Sequence, residues 1–91
     1  MGTNSFVPNN GTMFKTLYSE EYQNLRLWLK DKRKASGLSM RDLGKKLDVP
    51  HSFVGKIENG DRRLDVIEYI QYCEALNISP SEGLDIILSK R

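Results

Sequence analysis

Residues 39–60, SMRDLGKKLDVPHSFVGKIENG, carry the strongest structural signal in this chain. Ser39 is a typical N-cap residue, and Asp42 stands three positions later, where its carboxylate can accept from the Ser39 backbone N–H. Leu43 and Leu47 are four residues apart, which places them on one face of a helix. The first half of this segment therefore predicts a short helix with an apolar face.

The second half predicts another short helix after a tight turn. Val49 precedes Pro50, and a residue before proline is disfavoured in the α conformation, so the first helix must end there. Pro50 itself suits the first turn of a new helix, where its missing N–H needs no partner. Val54 and Ile57 give that helix an inward face, and Gly60 can end it in the left-handed conformation. Two such helices joined by a short turn form a helix-turn-helix.

Three further helices are predicted around this unit. The first runs from Tyr18 to about Ser36, with Ser19 as its N-cap and an apolar stripe of Tyr22, Leu25 and Leu29. The fourth, about Val66–Leu76, is capped by Asp65, and its predicted inward face is Val66, Tyr69, Ile70, Cys73 and Leu76. The fifth runs from Pro80 to about Leu88. No segment alternates with a period of two, so the chain is predicted to be an all-α, compact five-helix bundle.

The first 13 residues differ in composition from the rest of the chain. They carry no charge, are rich in Gly, Asn, Thr and Ser, and show no helical period. We expect residues 1–13 to be a disordered tail or a cloning scar, with the natural start at Met13. Residues 14–91 are expected to form one domain.

Composition narrows the possible functions. No apolar run approaches the roughly 18 residues of a membrane span, and no signal peptide is visible. The single cysteine, Cys73, fits a reducing compartment, so a cytoplasmic location is expected. The net charge is only +2, but residues 22–63 hold eleven Lys and Arg against five Asp and Glu. This local excess of +6 predicts a surface that binds a polyanion, although a solvated helical surface could carry the same charges.

From about Leu25 to Leu88 the chain resembles the phage-repressor/Xre-type helix-turn-helix domains of bacteria and phages. The resemblance rests on a set of residues taken together: Arg33, Gly37-Leu38-Ser39, Leu43, Leu47, Val49, Val54, Ile57-Glu58-Asn59-Gly60, Leu76 and Ile78. It implies the lambda-repressor-like fold and double-stranded DNA as partner. Three positions depart from the family pattern: Met40 replaces Gln, Gly44 replaces a small Ala, and Pro50 replaces a Ser or Thr cap.

The resemblance also implies an ion pair and a homodimer. Arg33 and Glu58 are expected to pair and tie helix 1 to the end of helix 3, either buried or as a solvated pair. Relatives of this type bind two-fold symmetric sites as dimers. The dimer interface is expected on helix 5, at Leu84, Ile86, Ile87 and Leu88, because its aliphatic residues exceed what one core face needs.

Candidate DNA contacts follow from the way a helix-turn-helix docks, with the start of its second helix in the major groove. The predicted base contacts are His51, Ser52, Phe53, Gly55 and Lys56. Phe53 could contact a thymine methyl group or could equally cover the core. The predicted phosphate contacts are Arg41, Lys45, Asn59, Arg62 and Arg63.

An enzyme is not expected. The one His and the one Cys fall on different helices, and the chain shows no metal-ligand spacing and no glycine-rich phosphate loop. No metal, cofactor or small-molecule ligand is therefore predicted. The function expected is a sequence-specific DNA-binding transcriptional regulator, a repressor. The alternatives are an antitoxin that also neutralises a toxin, and a protein-interaction adaptor that keeps this fold without binding DNA.

Overall fold

The computed structural model describes residues 19–89, which form five helices and no strand. The helices are α1 (Glu20–Ala35), α2 (Met40–Leu47), α3 (His51–Asn59), α4 (Val66–Leu76) and α5 (Pro80–Ser89). The predicted all-α, five-helix architecture is confirmed. The expectation of a disordered tail or cloning scar at residues 1–13 lies outside the described residues.

Side-chain caps set the beginnings of three helices. The Ser19 hydroxyl accepts from the Tyr22 N–H at the start of α1. Ser39 and Asp42 form a reciprocal capping box at the start of α2, with both N···O distances at 3.0 Å. Asp65 makes the equivalent box with Glu68 at the start of α4. Each cap satisfies backbone N–H groups that have no partner inside the helix, so these helices begin where the sequence predicts.

The turn between α2 and α3 differs from the prediction at Pro50. Asp48 adopts a left-handed conformation, with φ of 59°, and ends α2. Pro50 is extended, with ψ of 151°, and is the N-cap of α3 without a side-chain cap bond. Pro50 thus lies one position before the first helical turn, at the cap position where the family pattern has Ser or Thr. The Pro50 carbonyl oxygen accepts a hydrogen bond from the Phe53 N–H at 3.0 Å, and this bond closes the first turn of α3.

The core is built from buried side chains of α1, α2, α3 and α4. Its fully buried side chains are Leu29, Leu43, Val54, Ile57, Tyr72 and Cys73. The predicted inward face of α4 is wrong at two positions, because Val66 is 69% exposed and Ile70 37% exposed. Tyr72 takes their place in the core. The helix is apolar around most of its circumference, so its sequence allows more than one buried stripe.

Helix α5 packs closely on α1 through Gly83. A Cβ atom at this position would collide with the Tyr69 hydroxyl and would lie 2.8 Å from the Trp28 ring. The Tyr69 hydroxyl donates to the Pro80 carbonyl at 2.5 Å and holds the start of α5. With α5 packed in this orientation, the side chains of Leu84 and Leu88 are exposed to solvent.

Candidate nucleic-acid interface

The α2–α3 pair is held at close range by a glycine. Gly44 is buried on α2, and a Cβ atom there would lie 2.8 Å from the Val49 carbonyl oxygen and 3.3 Å from the His51 nitrogen. Only a residue without a side chain allows the helix to approach the turn this closely. On the other side of the turn, Val54 and Ile57 are fully buried. The opposite face of α3 is consequently turned outward.

That outward face carries most of the predicted base contacts. His51, Ser52 and Lys56 are exposed, and Gly55 is half-buried between them. A Cβ atom at Gly55 would have only the Met40 Sδ atom within 4 Å, at 3.7 Å. The surface at Gly55 is therefore a notch between polar side chains, with room for at least a Cβ atom.

Phe53 lies at the edge of this face. Its side chain is half-buried and packs against the core. The Arg62 guanidinium lies over the ring, with 4.5 Å from Cζ to the ring centroid. Of the two roles left open for Phe53, the structure shows the core contact; contact with a thymine methyl group stays a prediction.

Two arginines of α1 hold the end of α3. Arg33 Nε lies 2.5 Å from Glu58 Oε2, and Arg33 Nη2 lies 3.0 Å from Oε1. Both side chains are buried, and the Arg33 Nη1 atom also donates to the Leu38 carbonyl. Hydrogen bonding to Glu58 raises the pKa of Arg33 above its ordinary value. Arg26 adds a bond to the Glu58 carbonyl at 2.5 Å.

The predicted phosphate contacts fall into two groups. Arg41 and Lys45 on α2, Asn59 at the end of α3 and Arg63 in the α3–α4 connector are exposed. Arg62 is different, because its guanidinium is paired with Glu68 through N···O distances of 3.0 and 2.9 Å. This pairing lowers the pKa of the Glu68 carboxyl below its ordinary value.

Sequence reasoning missed three of these interactions. Arg26 stands seven residues before Arg33 on α1, so both lie on one helix face, and this spacing could have indicated a second contact with α3. The partner of Arg62, Glu68, was visible only as a residue of the first turn of α4. The Arg62–Phe53 stacking joins residues nine positions apart across a connector, for which the sequence offers no periodic signal.

No metal or membrane site is found in the described part of the chain. Within residues 19–89, no group of three His, Cys, Asp or Glu side chains could hold a metal ion. None of the described helices is both long and apolar enough to cross a bilayer. Burial raises the pKa of the Cys73 thiol, which lies in the core as a protonated apolar group.

Comparison with known proteins places this geometry in a family. Residues 29–83 match the family described as Helix-turn-helix. An XRE-family like protein from Pseudomonas syringae pv. tomato str. DC3000 is 36% identical over 86% of this chain and 95% of its own, with a TM-score of 0.75. The restriction-modification controller protein C.AhdI from Aeromonas hydrophila is 29% identical over 71% of this chain and 99% of its own, with a TM-score of 0.63.

A more distant structure shares the fold. The clp gene regulator ClgR from C. glutamicum is 19% identical over 79% of this chain and 94% of its own, with a TM-score of 0.70. No curated protein matches the chain. The fold and the exposed α3 face define a DNA-binding transcription regulator of the helix-turn-helix class. The chain belongs to the XRE family of these proteins.

Proposed function

We propose that this protein is a sequence-specific repressor that binds a two-fold symmetric operator as a homodimer. The main support for this proposal is the exposed face of α3. This face is polar and cationic at Lys56, and the opposite side of the helix is fixed in the core by Val54 and Ile57. The controller protein C.AhdI, which shares this fold at 29% identity, supports a regulatory role. A bound repressor would occlude the duplex that it covers.

Each residue on the α3 face has a proposed chemical role. Lys56 would donate to guanine O6 and N7, and Ser52 would bond a base edge or a phosphate. His51 can donate or accept, depending on its tautomer. The notch at Gly55 would let a base edge approach the helix backbone. Phe53 would reach the duplex only with the edge of its half-buried ring.

Phosphate contacts would hold α3 in register along the groove. We assign them to four exposed side chains that flank the helix: Arg41, Lys45, Asn59 and Arg63. Arg62 is set apart from this group because Glu68 already occupies its guanidinium.

The proposed dimer interface lies on α5. Leu84 is 49% exposed and Leu88 60% exposed, while Ile86 and Ile87 are half-buried. Leu84 lines a shallow apolar groove together with Val66, which extends the apolar surface onto α4. A second copy would cover these side chains and would present two α3 helices to neighbouring major grooves. The proposed partners are DNA and a second copy of the chain, and the proposed location is the cytoplasm.

The test of this function compares two cationic side chains with different proposed roles. The preferred duplex is the one recovered by selection from a random library. Lys56→Ala should weaken binding to this duplex by about 1–3 kcal/mol and relax the sequence preference at one base position. Arg63→Ala should weaken binding to preferred and random duplexes alike. Titration of both duplexes with each variant gives the answer. Equal losses on the two duplexes for Lys56→Ala would contradict the proposed base contact.

A further inference from the structure

The connector between α3 and α4 contains a compact cluster formed by Arg62, Glu68 and Phe53. The Nη1 and Nη2 atoms of Arg62 donate to the two carboxylate oxygens of Glu68. Nη1 also donates to the Arg63 carbonyl at 3.1 Å. The same guanidinium lies over the Phe53 ring, with Cζ 4.5 Å from the ring centroid. Both terminal nitrogens of the group and its contact with the ring are therefore engaged within the protein, although the side chain stays 38% exposed.

This cluster joins three helices. The backbone carbonyl of Arg62 accepts from the Tyr22 hydroxyl of α1 at 2.8 Å. Glu68 belongs to α4, and its Oε1 atom also accepts from the Asp65 N–H as part of the capping box. Phe53 belongs to α3, one residue after Ser52 on the exposed face. A movement of Arg62 would disturb the contacts of α3 with both neighbours.

We propose that Arg62 is a positioning residue for the recognition helix and not a phosphate contact. Its guanidinium holds Phe53 against the core and thereby sets the angle at which Ser52 and Lys56 face the duplex. The inference rests on the proposed DNA-binding function, and it replaces the phosphate role that the sequence predicted for this arginine.

Charge supports a positioning role. A phosphate that took the Arg62 donors would displace a carboxylate bonded through two N–H groups, and Glu68 would then lie beside a second anion. Arg63, the next residue, is exposed and can bind a phosphate without this cost. The two adjacent arginines therefore have different roles, and Arg63 is a matched control for Arg62.

Substitution by lysine separates the two roles. Lysine keeps the positive charge and can still bind a phosphate. It cannot form two parallel hydrogen bonds to one carboxylate, and it has no planar group to stack on an aromatic ring. Arg62→Lys should lower the ratio of preferred to random duplex affinity by about five-fold, roughly one kcal/mol. Arg63→Lys should leave that ratio within about two-fold of the unaltered protein. The ratio is measured at low temperature on folded protein, so a loss of stability alone does not change it.

A second variant removes the partner of Arg62. Glu68→Gln keeps a side-chain oxygen for the Asp65 N–H, since Gln also forms capping boxes, but it removes the charge. If Arg62 positions α3, this variant also lowers the affinity ratio, although it makes the protein more cationic. The slope of log K against log salt concentration should stay unchanged for Arg62→Gln, whereas Arg63→Gln should reduce it by about 0.9.

The opposite pattern would overturn the inference. A normal affinity ratio for Arg62→Lys, or tighter binding to all duplexes by Glu68→Gln, would show that Arg62 binds phosphate. A slope reduced by about 0.9 for Arg62→Gln would show the same. If the unaltered protein bound neither duplex, the proposed function would fail and the inference with it; the variant comparisons test the inference alone.

Discussion

At the scale of single residues, the most consequential interaction is the buried pair of Arg33 and Glu58. Glu58 is the one acidic residue of α3, and it lies in an otherwise apolar interior beside Ile57 and Val54. Two N···O contacts from Arg33 satisfy its carboxylate. Removal of one partner from a buried pair leaves the other charge without compensation, which costs more than the pair itself contributes.

Arg33→Met should therefore lower the free energy of unfolding by about 3–5 kcal/mol. The free energy of unfolding of a typical domain is about 5–15 kcal/mol, so this loss would be a large part of it. Lys34→Met, at the neighbouring exposed position, is the control and should change stability by less than about 0.5 kcal/mol. Urea unfolding of both variants gives the comparison. A loss of under about 1 kcal/mol for Arg33→Met would mean that the pair behaves as a solvated one.

A second residue-scale prediction concerns pH. The Asp42 carboxylate accepts from the Ser39 N–H, which lowers its pKa below the ordinary value. A carboxyl whose pKa is lowered by folding stabilises the protein above its unfolded pKa of about 3.9, and the contribution disappears as the pH falls through the folded value. The stability difference between the unaltered protein and Asp42→Asn should thus narrow as the pH is lowered from about 7 toward 2. Urea midpoints across this range test it, and a constant difference would contradict it.

At the scale of the helices, two glycines in the α2–α3 unit have opposite environments. Gly44 faces the backbone of the turn, with the Val49 carbonyl oxygen 2.8 Å from a Cβ position. Gly55 faces the open notch, where only the Met40 side chain is near. Alanine raises helix propensity by about 1 kcal/mol at either position, so the surroundings decide the net effect.

Gly55→Ala should raise the free energy of unfolding by up to about 1 kcal/mol and weaken DNA binding, because its methyl group fills the notch. Gly44→Ala should lower stability, because the turn must move away from the new methyl group. Thermal unfolding and duplex titration of the two variants form a matched pair. A gain of stability at Gly44 together with unchanged DNA binding at Gly55 would contradict this account of the unit.

The helices differ in how far sequence predicts them. Helix α2 begins where its Ser39–Asp42 capping box predicts, and α4 begins directly after its predicted cap, Asp65. The orientation of α4 could not be predicted, because Val66, Ile67 and Ile70 are as apolar as the residues that it buries. Only packing against the other helices, α2 and α5 among them, selects Tyr69, Tyr72 and Cys73.

The candidate site shows the same division. The outward positions of His51, Ser52 and Lys56 follow from the inward positions of Val54 and Ile57, which the helical period gives directly. The engagement of Arg62 by Glu68 could not be predicted, because it depends on the path of the connector between two helices. The requirement for glycine at position 83 likewise depends on the packing of α5 against Trp28 and Tyr69, which no local sequence pattern indicates.

At the scale of the whole molecule, one small domain carries two surfaces with different proposed partners. The α3 face would bind bases, and the apolar surface of Leu84 and Leu88 would bind a second copy. One recognition helix reads few base pairs, so the dimer would supply the rest of the specificity. Half-sites read by two such helices are expected about 34–36 Å apart, one turn of the duplex.

Sequence-specific binding by a dimer can be tested by selection of bound duplexes from a random library at about 150 mM salt. A dimer of this kind should enrich a motif with two-fold symmetry, whose half-sites are separated by about one helical turn. Bound duplexes without an enriched motif would leave only a non-specific basic surface. Failure to retain any duplex would contradict DNA binding itself and favour an adaptor role for this fold.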